Sequence, residues 1–196
     1  MKAFVDSSNQ SFSFSSCNTC QAQCCDGRHS TIYSQLLLED FKTVSKHFPI
    51  VFTFGEMGYL KANVLFTKGD DFCPYIKDLK CTIYDERPSI CRNYPLSPNL
   101  DNKIYIDTNC PAVTQNKYDS QLIKEGVLQN KQNYPTLQNY QEKFVDTHLY
   151  LEQFNKKEDF ENIITINGIK FYKFTGNSDD IYMQLHQNSI KQFFHF

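Results

Sequence analysis

The sequence lacks the features that mark several common protein classes. It has no run of about 18 apolar residues, so no membrane-spanning helix is expected. Residues 1–16 include one early lysine but no apolar run long enough for the core of a secretory signal peptide. The formal net charge is only −2, which does not favour binding to nucleic acid or to an anionic membrane surface. We therefore expect a soluble, cytoplasmic protein whose thiols stay reduced.

Cysteine is absent from residues 111–196, whereas all eight cysteines lie between Cys17 and Cys110. In a reducing compartment, this density of thiols indicates metal binding or redox chemistry. A disulfide framework in a secreted protein is the alternative, since an even number of cysteines would also suit it. Tryptophan is missing too, but 17 Phe and 12 Tyr provide ample aromatic surface for a hydrophobic core.

The first cysteine cluster runs from Cys17 to Cys25 and reads CNTCQAQCC. Its Cys-x-x-Cys step allows two thiolates to converge on one ion while backbone N–H groups face the sulfurs. The adjacent Cys24 and Cys25 are expected to diverge, because neighbouring side chains rarely aim at one centre. They would then serve separate centres, or one would be a ligand and the other a supporting or reactive thiol. A reversible thiol switch at this pair is a further alternative.

The second cluster is spread more widely along the chain, with seven, nine and eighteen residues between its cysteines. It consists of Cys73, Cys81, Cys91 and Cys110. This spacing differs from that of a zinc ribbon, which needs a second Cys-x-x-Cys step. Two clusters of four thiols permit two four-thiolate sites, or one site with spare thiols.

The only three arginines also lie in the cysteine half: Arg28, Arg87 and Arg92. Arg87 and Arg92 flank Cys91, which is predicted in the first turn of a short helix. Helix N–H groups and nearby cations would lower the pKa of that thiol and favour the ligating thiolate. We expect both arginines to contribute to the cofactor site indirectly. Their positive charge and their rigid N–H donors would interact with the sulfur atoms that bind the metal. Cysteine also precedes proline twice, a step common at iron–sulfur ligands, and this favours iron–sulfur over zinc.

Two segments carry a resemblance to a known family. They are CNTCQAQCCDG, which starts at Cys17, and FCPYIKDLKCTIYDERPSICRNYPL, which starts at Phe72. Through them the chain resembles the YkgJ-like cysteine-cluster family, also called CxxCxxCC or the zinc- or iron-chelating domain, over about residues 14–112. The resemblance implies metal chelation. One departure is that three residues, not two, precede the Cys24-Cys25 pair. A larger relative with this cysteine pattern, flagellin lysine N-methylase, introduces an enzymatic alternative.

These observations predict a metal-binding cysteine-cluster protein in a redox or accessory role, with a protein partner and without nucleic acid or membrane. The cofactor would be an iron–sulfur cluster of the 4Fe-4S type, or zinc. The alternatives are a protein-lysine N-methyltransferase and a structural zinc protein that binds a partner. The methyltransferase is disfavoured because the seven glycines include no Gly-x-Gly-x-x-Gly motif to bind a phosphate or adenosyl group. No catalytic residue is predicted, His29 is expected to be a bystander, and Tyr84 should pack behind the second cluster. The predicted metal ligands are Cys17, Cys20, Cys24, Cys25, Cys73, Cys81, Cys91 and Cys110.

The predicted fold is one α+β domain, with a small metal-clamped cysteine core of short strands and helices followed by helices and a β-hairpin. Residues 1–16 would form a loose lead-in or a short edge strand, residues 17–112 the cysteine core, and residues 113–196 an extension packed on it. Apolar periodicity predicts helices from Ser34 to Phe48, over 117–129 and 136–156, and after Ser178. Hairpins are expected at 50–66, at 72–84 and around Asn167-Gly168, with short elements at 89–93 and 103–107.

Overall fold

The computed structural model describes residues 2–16, 20–28, 32–115 and 121–194. Within these ranges, four α-helices accompany four antiparallel sheets, which confirms the predicted α+β class. The helices are α1 (Phe41–Val44), α2 (Ser89–Asn93), α3 (Tyr140–Glu152) and α4 (Ile181–Phe193). Across the described residues, none of the helices has both the length and the apolar character needed to cross a bilayer.

Fourteen short strands build the sheets of the described chain. In chain order they are β1 (Phe4–Asp6), β2 (Phe12–Phe14), β3 (Tyr33–Gln35), β4 (Ile50–Phe54), β5 (Leu60–Leu65), β6 (Ile76–Lys77), β7 (Lys80–Cys81), β8 (Leu96–Pro98), β9 (Ile104–Asp107), β10 (Val113–Gln115), β11 (Gln121–Lys124), β12 (Val127–Leu128), β13 (Phe160–Ile166) and β14 (Ile169–Phe174). The sheet orders are β13-β14-β4-β5-β3, β10-β2-β11-β12, β1-β9-β8 and β6-β7.

The five-stranded sheet carries the main core of the protein. Because side chains alternate along a strand, Phe52 of β4 packs with Leu151 and Met183 on one face. On the other face, Val51 packs with Phe171. Both faces of the sheet are therefore covered by apolar side chains, and helix α4 contributes to each through Met183 and Ile190.

Several local predictions are confirmed. Strands β4 and β5 form the hairpin expected at 50–66, and β6 and β7 form the one expected at 72–84. Asn167 and Gly168 both have positive φ, at 50° and 80°, as a type I′ turn between β13 and β14 requires. Helix α4 begins after Asp180, whose carboxylate accepts hydrogen bonds from the N–H groups of Tyr182 and Met183.

One predicted helix begins later than expected, and another is wrong. Ser34 does not cap a helix, because it lies in β3 and pairs with Val64 of β5 at the edge of the main sheet. The helical turns begin only at Leu38. The described part of 117–129 forms the β11–β12 hairpin, since Glu125 and Gly126 take positive φ between the two strands. Strand pairing to distant segments overrode local helical periodicity in both places.

A second core lies beside the first and recruits the N-terminal residues. Phe12 of β2 is fully buried and packs with Ile106 and Ile123. Strand β2 pairs with β10 and with β11, while β1 pairs with β9. Residues 1–16, expected to be a loose lead-in or a short edge strand, thus contribute two strands, β1 at a sheet edge and β2 inside a sheet. The division of the chain at residues 112 and 113 stays a prediction.

One buried histidine ties α4 to the main sheet. His186 is fully buried, its Nδ1–H donates to the carbonyl oxygen of Ile50 at 2.7 Å, and its Nε2 accepts from the N–H of Phe174 at 2.9 Å. Burial lowers the pKa of His186 to about 4. The neutral ring is therefore part of the folded state, and protonation would break the bond that Nε2 accepts.

We expect His186 to make stability depend on pH. Its folded pKa lies below the unfolded value near 6.5, so its contribution is complete above that value and declines as the pH falls towards 4. Relative to His186→Gln, the wild-type free energy of unfolding should drop by about 2 kcal/mol between pH 7.5 and pH 5. Urea denaturation of both proteins measures this difference.

The comparison with a variant is necessary because Asp40 acts in the opposite direction. Burial raises the pKa of Asp40 to about 6, so its stabilising effect is greatest at low pH and declines as the pH rises through 6. The wild-type curve alone therefore contains two opposing slopes. If the difference between wild type and His186→Gln were flat with pH, the assignment to His186 would be wrong.

Candidate metal centre

The cysteines of both clusters meet at one cavity of about 880 Å³. It lies between the two cores, since its wall includes Phe48 of the main core and Leu96 of the second. Six cysteines line this cavity: Cys20, Cys24, Cys25, Cys73, Cys81 and Cys91. The fold thus brings together thiols that the chain separates by long stretches of sequence.

Backbone pairing joins the two cysteine clusters directly. A single 3₁₀ turn at Gln23–Cys25 presents the adjacent pair. Next to it, the N–H of Cys73 donates to the carbonyl oxygen of Cys25 at 2.7 Å, and Asp26 forms a β-bridge with Phe72. The guanidinium of Arg28 lies over the ring of Phe72, 4.8 Å from its centroid. The first cluster is therefore held against the start of the second.

Gly27 lies where the two paired segments approach each other too closely for a side chain. Its N–H donates to the carbonyl oxygen of Asp71 at 3.0 Å. A Cβ at Gly27 would lie 2.0 Å from Oγ1 of Thr67 and 2.7 Å from that same carbonyl oxygen. The glycine thus meets a need for space, because any side chain here would push the two segments apart.

The adjacent cysteines do not diverge as predicted. The sulfurs of Cys24 and Cys25 lie 3.6 Å apart. Two thiolates bound to one tetrahedral zinc ion at about 2.3 Å each would be separated by about 3.8 Å. Both cysteines lie in the 3₁₀ turn Gln23–Cys25. Their mutual contact, together with burial, raises the pKa of the Cys24 thiol.

The second cluster is supported by short elements. Cys81 lies in β7, and Cys91 lies in α2, where its N–H donates to the carbonyl oxygen of Pro88 at 2.9 Å. Helix α2 is anchored to the main core because Ser89 donates a hydrogen bond to the buried carboxylate of Asp40. Through Asp40, the position of Cys91 depends on the turn that begins α1.

The expected lowering of the Cys91 pKa is wrong. Burial raises the pKa of this thiol to about 12, and Cys73 and Cys24 raise it further, while Arg87 only partly offsets them. Burial likewise raises the pKa of Cys73 to about 11. Clustered, desolvated thiols keep their protons until a metal cation compensates their charge. Metal binding here would therefore release protons.

Cys110 lies just behind the cavity. It is 4% exposed and contacts the hydroxyl of Tyr94. Burial raises its pKa, and the charges of Cys20 and Cys24 act in the same direction. Tyr94 also donates to the buried carboxylate of Asp107 at 2.9 Å, so the cysteine lies in an ordered polar turn.

The motif arginines take different positions. Arg87 lines the cavity, stacks its guanidinium 3.5 Å from the ring centroid of Tyr84, and donates to the Tyr84 carbonyl oxygen at 2.8 Å. Arg92 is exposed outside the cavity wall, and its charge acts on Asp40. Tyr84 does not pack behind the second cluster, because its side chain is half exposed at the cavity.

Lys2 is a site residue that the sequence reasoning missed. It lines the cavity, and its Nζ lies 4.9 Å from the centroid of the Tyr94 ring. Burial lowers the pKa of Lys2, while Cys24, Asp107, Cys91 and Cys25 oppose that shift. No sequence signal marks this residue, since it approaches the cysteines only through the pairing of β1 with β9.

Residues 66–95, which connect the two hydrophobic cores, have few fully buried side chains. No hydrophobic side chain in residues 66–95 is fully buried; only Pro88, Asn93 and Pro95 fall in the buried class there. Cys73, Cys81 and Cys91 all lie in this segment. Its side chains Phe66, Tyr75, Ile83 and Ile90 pack against the main core only partly buried, and bound metal would add to the order that this packing provides.

The remaining predicted residues are accounted for as follows. Cys17 and His29 lie outside the described residues. The seven described cysteines form no disulfide. Within the described ranges, no three cysteine, histidine or acidic side chains are arranged closely enough to hold one metal ion.

The comparisons with known proteins agree with the thiol-rich cavity. No curated protein and no solved structure matches the chain significantly. A family model described as "CxxCxxCC: Putative zinc- or iron-chelating domain" matches residues 16–120, which include every cysteine and more than half of the chain. The chain is thus a metal-binding cysteine-cluster protein and belongs to the CxxCxxCC family of zinc- or iron-chelating domains.

Proposed function

We propose that this protein binds an iron–sulfur cluster of the 4Fe-4S type in the thiol-lined cavity and acts as a redox or accessory protein. One observation carries this proposal: six cysteines from two distant clusters line one cavity of about 880 Å³. A tetrahedral zinc ion and a 4Fe-4S cluster each take four thiolates, but the thiolates of a cluster bind separate irons and therefore lie farther apart. When bound, such a cluster supplies one-electron chemistry.

The surroundings of the thiols suit an anionic thiolate centre. Arg87 and Lys2 contribute cationic groups to the wall, and Lys80 adds a third. Cys73 and Cys91 are partly buried among apolar side chains, with Ile83 and Ile90 packed on the main core nearby. Charge, hydrogen bonds and solvent exposure are the features by which a protein tunes such a group.

The mouth of the cavity supports a role with a protein partner. Phe4, Leu79 and Tyr84 line it and are 41%, 51% and 50% exposed. Exposed aromatic and aliphatic side chains at one place are typical of interaction surfaces. A partner that docks here would approach the cysteines closely, as electron transfer or cluster delivery requires.

Metal and sulfide analysis of the full-length protein tests the cofactor. Protein prepared without oxygen should be brown and contain iron and acid-labile sulfide in equal amounts, with the Mössbauer spectrum of a four-iron cluster. Stoichiometric zinc in a colourless protein would contradict the iron–sulfur proposal and leave metal binding intact. A chain that retains neither metal, even after reconstitution under reducing conditions, would contradict both.

Zinc is a second candidate because one observation favours it. The separation of 3.6 Å between the sulfurs of Cys24 and Cys25 is close to that of two ligands on one tetrahedral ion. Cobalt substitution tests whether such a site exists, since a tetrahedral thiolate site gives intense visible d–d bands. In that case the metal would order residues 66–95 and the protein would serve as a structural unit.

A further inference from the structure

The N-terminal strand covers the thiol-lined cavity. Strand β1 pairs with β9, and before it the N–H of Ala3 donates to a carboxylate oxygen of Asp107 at 2.9 Å. The N–H of Thr108 donates in return to the carbonyl oxygen of Ala3 at 3.0 Å. These hydrogen bonds of Ala3 fix the backbone next to Lys2, and the side chain of Lys2 reaches the cavity wall from that backbone.

The ammonium group of Lys2 is placed where thiolate charge would accumulate. Its Nζ lies against the face of Tyr94, 4.9 Å from the ring centroid, while the hydroxyl of that tyrosine contacts Cys110. Lys2 shares the cavity wall with Cys24, Cys25 and Cys91. A cation in a partly desolvated site interacts more strongly with nearby charge than one in water does.

We propose that the ammonium group of Lys2 is the counter-cation of the metal-thiolate centre. This inference rests on the proposed function and adds a residue that lies outside the family match, which begins at residue 16. Several thiolates on a divalent or cluster centre leave net negative charge, which the ammonium partly neutralises. Residues 2–6 thereby close the metal site as well as complete the three-stranded sheet.

Zinc titration of the reduced, metal-free, full-length chain tests this role, with a chromophoric chelator as competitor. Lys2→Met, which keeps the apolar stem but removes the charge, should bind Zn²⁺ about 10-fold more weakly than the wild type. Lys2→Arg restores a cation and should bind within about threefold of the wild type. The Co²⁺ spectrum should be the same in all three proteins, because no thiolate has been removed.

Lys61→Met is a matched control. Nζ of Lys61 also lies 4.9 Å from the centroid of an aromatic ring, that of Tyr59, but this lysine is not on the cavity wall. Its loss removes the same kind of cation–π contact and should leave Zn²⁺ affinity unchanged. The denaturation midpoints of the metal-free variants should match that of the wild type, which excludes misfolding as the cause.

The outcomes separate two failures. If the wild-type chain binds no Zn²⁺ and also takes up no iron on anaerobic reconstitution with iron and sulfide, the metal function itself is contradicted. If the wild type binds and Lys2→Met binds equally well, only the role of Lys2 is lost. The role is likewise overturned if Lys2→Arg is as weak as Lys2→Met, or if Lys61→Met weakens binding to the same degree.

Discussion

Replacement of Cys91 by serine should abolish stable metal binding. The change exchanges one sulfur for oxygen on α2, at a position that lines the cavity and interacts electrostatically with Cys73, Cys24 and Cys81. Loss of groups that merely support a ligand weakens metal binding about 10- to 100-fold, so loss of a ligand should cost at least about 100-fold. Metal content after gel filtration should fall from stoichiometric to less than about a tenth of that value.

Ser97→Ala is the control for this prediction. Ser97 lines the same cavity, and the change removes one oxygen from the wall without touching a thiol. Metal content should stay at the wild-type value. A Cys91→Ser protein that kept its full complement of metal would show that Cys91 is not a ligand. The proposed centre would then have to rely on the remaining cysteines.

Removal of the metal should release residues 72–94 and leave the five-stranded sheet in place. This stretch lies within residues 66–95, where no hydrophobic side chain is fully buried, whereas β4 contains Ile50, Val51 and Phe52, all fully buried. Structural metal contributes about 10 kcal/mol or more of apparent binding free energy, and that energy orders the ligand-bearing chain. Amide hydrogen exchange in residues 72–94 should accelerate at least about 100-fold in the metal-free protein.

The amides of β4 and β14 serve as the internal reference for exchange. Their rates should change less than about threefold, since their order comes from apolar packing on both faces of the sheet. The Cys91→Ser protein should show the fast pattern even before chelation. Equal acceleration in β4 would mean that metal holds the whole fold together. Unchanged protection of residues 72–94 would mean that their structure does not depend on metal.

Local signals in the sequence predicted much of the secondary structure. Asn167-Gly168 favours a type I′ turn whatever surrounds it, and Asp180 caps α4 with its own side chain. Predictions failed where distant pairing decided the outcome. Ser34 lies in a strand because β3 pairs with β5, and Phe12 is buried because β10 and β11 flank β2.

Some features of the candidate site could likewise be predicted from the sequence, and others depend on the tertiary structure. The spacing and neighbours of the cysteines sufficed to predict metal chelation, and the family match over residues 16–120 supports it. The sequence did not show that both clusters share one cavity, because that depends on the backbone bond between Cys73 and Cys25. Arg87 lines the cavity, as its proximity to Cys91 in the sequence predicted. Lys2 could not be predicted in this way, because it precedes β1 and is far from the cavity cysteines of the second cluster along the chain.

The sequence by itself determined the chemistry of this protein: cysteines grouped in one half of the chain can chelate zinc or iron. Only the tertiary structure decided their arrangement, the raised pKa of Cys91 and the approach of Lys2. The physical reason is that ligand type is a property of each side chain. Burial, net local charge and the separation of sulfur atoms arise only when segments far apart in sequence pack together.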